Sequence, residues 1–195
     1  MIEVEKVFIL TKEQEEALIK DAEFLGEKVF TDIYYDDKSY SLTTKDLWFR
    51  QRDGKFELKV PLNKSLKERV SDQYQELESD QEILKYFNAP DGWRILDFLK
   101  EKSYNPFCKI TTTRRKYKKE VFNIDFDVMD FGYVSMDIEK MIDDASKMDE
   151  TTESIIEFAK RHNINESEKW GKVIEYVKRN NSVHFQVLLA SKVIC

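Results

Sequence analysis

Ionisable and apolar residues alternate with period two along at least six stretches of this chain. In Met1 to Ile9, Glu3 and Glu5 share one parity while Ile2, Val4 and Phe8 share the other. Arg50 with Arg52, Glu57 with Lys59, and Arg114 with Lys116 and Lys118 repeat the pattern. Carboxylates return at Glu76 and Glu78, at Asp125 and Asp127, and at Asp137 and Glu139. Strand side chains point alternately to the two faces of a sheet, so each set can project from one face. A face rich in both signs of charge is no dry core, because buried charges must be paired or bound to ions. It faces solvent or a wet cavity. The other parity is apolar: Leu47 and Phe49; Phe56, Leu58 and Val60; Ile124, Phe126 and Val128; Val134, Met136 and Ile138. An antiparallel sheet curled into a barrel or tunnel, charges inward and helices outside, satisfies both halves of the pattern.

The order of elements agrees with an α+β chain. Thr11 and Gln14 make a capping box that opens a helix. Leu18, Ala22 and Leu25 lie on one stripe of it, and Gly26 is its natural stop. Strands are expected at 28–36, 45–53, 55–61 and 71–79, with Asp53-Gly54 as a hairpin turn. Residues 80–101 read as helices broken at Pro90-Asp91-Gly92. Strands return at 107–118, 120–130 and 132–141, and helices follow at about 149–162, 167–180 and 182–192. Trp170, Val173, Ile174 and Val177 stripe the second of these. The segment 182–195 is expected to pack against the sheet exterior.

A length of 195 residues suits a single domain spanning 1–195, and 41% hydrophobic content supplies its core. The net charge of −6 weighs against nucleic-acid binding. The acidic opening and the lack of a long apolar run predict a cytoplasmic protein with no membrane segment. Cys108 and Cys195 are the only cysteines, and a stabilising disulfide is not expected. A monomer is favoured.

The charged faces carry what a polyanion and a hard cation need. Mg²⁺ takes oxygen ligands, often carboxylates together with substrate phosphates. Phosphate oxygens take arginine forks and lysine point charges. Each motif alone is commonplace: a Glu-x-Glu strand is usually one solvated sheet face. Trp48 shares parity with Arg50 and Arg52, and is either a core aromatic or a stacking surface for a substrate group. His162 and His184 are expected in structural or surface roles. The convergence of the motifs points to metal-assisted phosphoryl chemistry.

Several segments resemble the CYTH superfamily, the triphosphate tunnel metalloenzymes, and within it the thiamine triphosphatase branch. Ile2-Glu3-Val4-Glu5-Lys6 resembles the family's N-terminal Glu-x-Glu-x-Lys strand. Tyr34-Tyr35-Asp36, Trp48-Phe49-Arg50-Gln51-Arg52, Glu57-Leu58-Lys59, Tyr74-Gln75-Glu76-Leu77 and Thr112-Thr113-Arg114 resemble later segments. The most specific likeness is Ile124-Asp125-Phe126-Asp127, then Asp130-Phe131-Gly132-Tyr133, then Asp137-Ile138-Glu139. Lys172 resembles a lysine on the family's C-terminal helix.

The resemblance implies an eight-stranded antiparallel tunnel with a charged lumen, and Mg²⁺-dependent hydrolysis of a terminal phosphate, with Mn²⁺ as a substitute. Thiamine triphosphate is the favoured substrate, inorganic tripolyphosphate the alternative, and a non-catalytic polyphosphate-binding module a third reading. It implies metal ligation by Glu3, Glu5, Asp125, Asp137 and Glu139. Substrate contacts would come from Arg50, Arg52, Lys59, Arg114, Lys172, Trp48 and Glu76, with the chemistry centred on Glu3, Glu5, Arg52 and Lys59. Two positions depart from the pattern. Val7 stands where the family has a lumen lysine, with Lys6 on the opposite parity, and Asp137 replaces the usual glutamate.

Overall fold

The computed structural model describes residues 2–62, 72–164 and 170–194. Met1, Ser71, the start of the helix expected from 167, and Cys195 lie outside the described residues. Eight strands close an antiparallel barrel: β1 (Ile2–Phe8), β2 (Glu23–Asp36), β3 (Trp48–Arg52), β4 (Lys55–Pro61), β5 (Asp72–Leu77), β6 (Asn105–Lys119), β7 (Phe122–Met129) and β8 (Val134–Ile142). Their order around the wall is β1-β5-β4-β3-β2-β6-β7-β8, with β8 pairing back to β1. Closure leaves no free sheet edge, and it creates an inside distinct from an outside. Helices α1 (Lys12–Ile19), α2 (Asp80–Tyr86), α3 (Ile95–Glu101), α4 (Met148–Arg161), α5 (Lys172–Asn180) and α6 (Ser182–Ala190) complete the chain.

The outward parity forms two dry layers. Val4, Phe8, Ile124, Phe126, Met136 and Ile138 meet Leu18 of α1 and Ile155, Phe158 and Ala159 of α4. Phe49, Phe56, Leu58 and Leu77 meet Ile83 of α2 and Ile95, Phe98 and Leu99 of α3. Val128 and Val134, expected under helices, are instead exposed, because the helices cover only part of the wall. The Asp53-Gly54 turn forms as expected, with Arg52 paired to Lys55 and positive φ at both turn residues.

The first helix is shorter than its apolar stripe suggests. The capping box at Thr11 and Gln14 forms, but the helix ends at Ile19, and Glu23–Leu25 extend as strand. Strand β2 pairs with the long β6 as far as Glu23 with Lys118, so ladder hydrogen bonds outweigh the local helical pattern. Gly26 does not stop a helix. It sits at a register shift in that ladder with φ +135°, a conformation open to glycine. Leu47 likewise precedes β3 rather than lying in it, after a 3-10 turn at Thr43–Lys45 and a left-handed Asp46.

The last two helices, α5 and α6, do not lie on the sheet exterior. Val173 and Val177 of α5, Leu188 of α6, and Val193 and Ile194 pack against Tyr34, Trp48, Tyr74, Cys108 and Ile110, at one end of the barrel. A buried histidine ties α6 down. His184 Nε2 lies 2.8 Å from Thr43 Oγ1, and Thr43 Oγ1 donates to Asp36 at 2.8 Å. The imidazole stacks on Tyr40 at 3.8 Å. Burial pushes its pKa down to about 4, so the ring is neutral at physiological pH. Both His184 and the buried Cys108 are structural groups, as expected.

Candidate active site

The inward parity lines a cavity of about 1410 Å³ in the barrel. Its walls include Glu3 and Glu5 from β1, Trp48, Arg50 and Arg52 from β3, Lys59 from β4, Glu76 from β5, Arg114 from β6, Asp137 and Glu139 from β8, and Lys172 from α5. Eleven of the twelve residues singled out from the sequence therefore converge on one space. The twelfth, Asp125, is fully buried on the same inward face, covered by Arg114 and Lys116.

One wall is acidic. Carboxylate oxygens of Glu3, Glu5 and Glu139 lie within 4.8 Å of one another. Glu5 stands opposite Glu139 in the β1–β8 ladder, and Glu3 follows on the same parity of β1. Asp137 and Asp125 pair with each other in the β7–β8 ladder and are not part of that trio. Lys59 Nζ sits against the acids, at 3.1 Å from Glu3, 3.2 Å from Glu5 and 3.1 Å from Glu76. Burial alone would push this lysine down, but the charges of Glu5, Glu3 and Glu76 hold it well above the ordinary range.

The other wall is basic. Arg52 donates Nε and Nη2 to Asp32 at 2.7 and 3.1 Å. Lys172 Nζ shares Asp32 Oδ2 with that fork at 2.7 Å and reaches Thr112 Oγ1 at 3.2 Å. Arg50 pairs with Glu57 at 2.6 Å. Arg114 forks onto Asp127 at 2.6 and 2.7 Å and also holds Asp125 at 2.5 Å. Lys116 bridges to Glu139 at 3.1 Å. Burial would raise Asp32, but the hydrogen bond from Arg52 and the charges of Arg50 and Lys172 hold it well below the carboxylate range. Burial lowers Lys172 to about 8, against the pull of Asp32.

The cations of these two walls are held by internal carboxylates, and yet the lumen is unsatisfied. Each buried ion pair carries a desolvation cost that imperfect geometry leaves partly uncovered. Asp125 Oδ1 is buried with no hydrogen-bond partner. Asp137 lies in a deep position where burial, then Asp127 and Glu5, raise its pKa well above normal while Arg114 opposes them. An anionic guest with its cation would take over both sets of partners at once.

Residues 1–172 match the CYTH domain. The chain belongs to the CYTH domain family. Solved structures with the same fold as this CYTH chain stand at low identity. PH1819 from Pyrococcus horikoshii OT3 superposes with a TM-score of 0.64 at 18% identity, over 91% of this chain and 99% of that one. A candidate adenylate cyclase from Vibrio parahaemolyticus gives 0.62 at 16%, over 91% and 98%. HpAC1 from Hippeastrum, a candidate adenylyl cyclase with a dominant triphosphatase activity, gives 0.57 at 14%, over 91% and 95%. At these identities the likeness is one of fold.

The CYTH lumen also holds residues that the motifs did not single out. Asp32 is fully buried and joins Arg52, Arg50 and Lys172. Phe30 lies on the same face of β2, with Lys28 beyond it. The signal was present: residues 28, 30, 32, 34 and 36 share one parity, with charges at both ends and in the middle. An aromatic-rich stretch conceals it. Trp48 lines the cavity but is also 5% exposed and pinned, its indole N–H donating to Asp46 at 2.8 Å and to the Tyr74 hydroxyl at 3.2 Å. Among the described residues, no helix is long and apolar enough to cross a membrane.

Proposed function

We propose that this CYTH chain is a metal-dependent triphosphatase that removes the terminal phosphate of a small triphosphate, thiamine triphosphate foremost. The observation that carries the reading is the pairing of a carboxylate trio with a facing wall of arginines and lysine in one cavity. The family is metal-dependent in general. The trio fits a hard divalent cation such as Mg²⁺ or Mn²⁺, because its donors are all oxygen and already close together. Glu3, Glu5 and Glu139 would hold the ion, with Asp137 next along β8. Bound there, it would supply Lewis-acid polarisation of the phosphoryl group and a template for the attacking and leaving oxygens.

The chain's own groups would do the rest. Arg50, Arg52, Arg114 and Lys172 would receive the phosphate oxygens, exchanging internal carboxylate partners for the substrate's. Arg52 and Lys59, from the neighbouring strands β3 and β4, would stabilise the charge that develops on the transferring phosphoryl group. Burial makes each of these contacts stronger than it would be in water. Trp48, Tyr34 and Tyr74 line the aromatic end of the cavity and would border a thiamine ring, which favours thiamine triphosphate over inorganic tripolyphosphate. Phosphate release measured across thiamine triphosphate, tripolyphosphate, ATP and triphosphorylated RNA, with Mg²⁺, Mn²⁺ and Ca²⁺ compared, tests the reading. Tight binding without release would replace it with a polyphosphate-binding module.

Lys172 sets a pH dependence. Its ammonium is cationic below about pH 8 and neutral above it. The free enzyme's kcat/KM is therefore expected to fall as pH rises through about 8, by up to ~10-fold per unit. Lys172→Arg keeps its charge throughout and is expected to carry the fall upward in pH. Coincident basic limbs in the two pH profiles would assign the titration to another group.

Val7 keeps the module reading in play. It lines the cavity and stands opposite Asp137 in the β1–β8 ladder. A lysine there would give that carboxyl, 3.6 Å from Arg114 Nη2, a second cation and add a donor for phosphate. Val7→Lys is expected to tighten tripolyphosphate binding about tenfold, equivalent to ~1.4 kcal/mol. Isothermal titration of the two proteins checks this, and weaker binding by the variant would count against phosphate sitting near β1.

A further inference from the structure

Phe30 is 2% exposed and lies on the lumen face of β2, and four cations gather within 5.4 Å of its ring centroid. The Arg52 guanidinium stands 4.3 Å from the ring centroid, Lys172 Nζ 4.6 Å, Lys28 Nζ 5.1 Å and Arg114 5.4 Å. These four groups come from β3, α5, β2 and β6. They repel one another, and only something negative can hold them together before a guest arrives. Asp32 does so for Arg52 and Lys172, and Asp125 and Asp127 for Arg114. Lys28 makes no ion pair among the described residues.

A carboxylate and an aromatic face hold cations in different ways. A carboxylate takes up N–H donors and cancels charge, so it competes with phosphate. The π face attracts a cation through its quadrupole, accepts no strong hydrogen bond, and leaves net charge unchanged. A ring at the centre of the cluster lowers the cost of crowding while keeping donors available for phosphate oxygens. Contacts assembled in advance need less ordering when the guest binds.

We propose that Phe30 is a positioning residue that preassembles the phosphate-binding cations of the lumen through its π face. The inference rests on the lumen binding a triphosphate. It acts through Arg52, Arg114, Lys172 and Lys28, and Phe30 itself touches no reacting atom.

Replacing Phe30 by mono-, di- and trifluorophenylalanine tests it, because fluorine withdraws the quadrupole in steps with little change of shape. Tripolyphosphate is the probe, with Kd read by calorimetry and KM and kcat by phosphate release. Kd and KM are expected to rise stepwise, reaching about tenfold at the trifluoro ring, with kcat changing less. Phe30→Leu is expected to match the trifluoro protein, and Phe30→Tyr to remain near wild type. Thermal melting of the fluorinated series is expected to be flat. A flat Kd across the series would mean that the ring merely fills space, and the proposal would be overturned. Wild-type protein that binds no triphosphate would overturn the proposed function and this inference with it, so the two failures are separated by the first titration.

Discussion

Arg52→Ala is expected to lower kcat/KM for the triphosphate by about 10²–10³-fold, the scale seen when one preorganised transition-state donor is removed. Arg52 lies in the lumen with its fork anchored on Asp32 at 2.7 and 3.1 Å, so its position is set before any guest arrives. Loss of the side chain also strips a fully buried carboxylate of its bidentate partner, leaving Lys172 at 2.7 Å and Arg50 at 3.9 Å. A stability loss of about 3 kcal/mol is expected alongside the kinetic one. Arg52→Lys separates the two effects, since it keeps a charge for Asp32 but not the fork. Phosphate-release kinetics and thermal unfolding on all three proteins make the comparison. Turnover of the alanine variant within threefold of wild type would remove Arg52 from the reaction.

Glu5→Gln is expected to reduce Mg²⁺-dependent turnover at least ~100-fold while the protein stays folded. The substitution is isosteric. Lys59 keeps Glu3 and Glu76, each at 3.1 Å, so the network beside it is not orphaned. What is lost is one charge of the trio with Glu3 and Glu139. Binding of tripolyphosphate without metal is expected to hold steady or tighten, because a negative charge has left the lumen. That split distinguishes a metal ligand from a phosphate contact. An unchanged metal requirement in the variant would place the ion elsewhere.

The acidic and basic walls were legible because strand geometry is local. Whichever way the barrel closes, Glu3 and Glu5 must share a face, as must Arg50 and Arg52, and Asp137 and Glu139. The Asp53-Gly54 hairpin was legible for the same reason, since a two-residue turn with positive φ dictates its own partners. Local logic failed where pairing over long range prevailed. Ala22 and Leu25 fit a helical stripe, but the ladder from β2 to β6 drew Glu23–Leu25 into a strand. The last helix looked like one more cover for the sheet, yet it closes a barrel end, where Leu188, Val193 and Ile194 meet inward-facing aromatics.

The sequence alone determined which side chains would share a wet interior, because alternation and charge are properties of neighbours along the chain. Only closure of the barrel decided which of them touch. It brought Asp32 between Arg52 and Lys172, from two strands and a helix, and set four cations around Phe30. It also gathered Glu3, Glu5 and Glu139 while burying Asp125 beneath Arg114 and Lys116. Coulomb forces depend on distance and burial, and neither exists until the eighth strand meets the first.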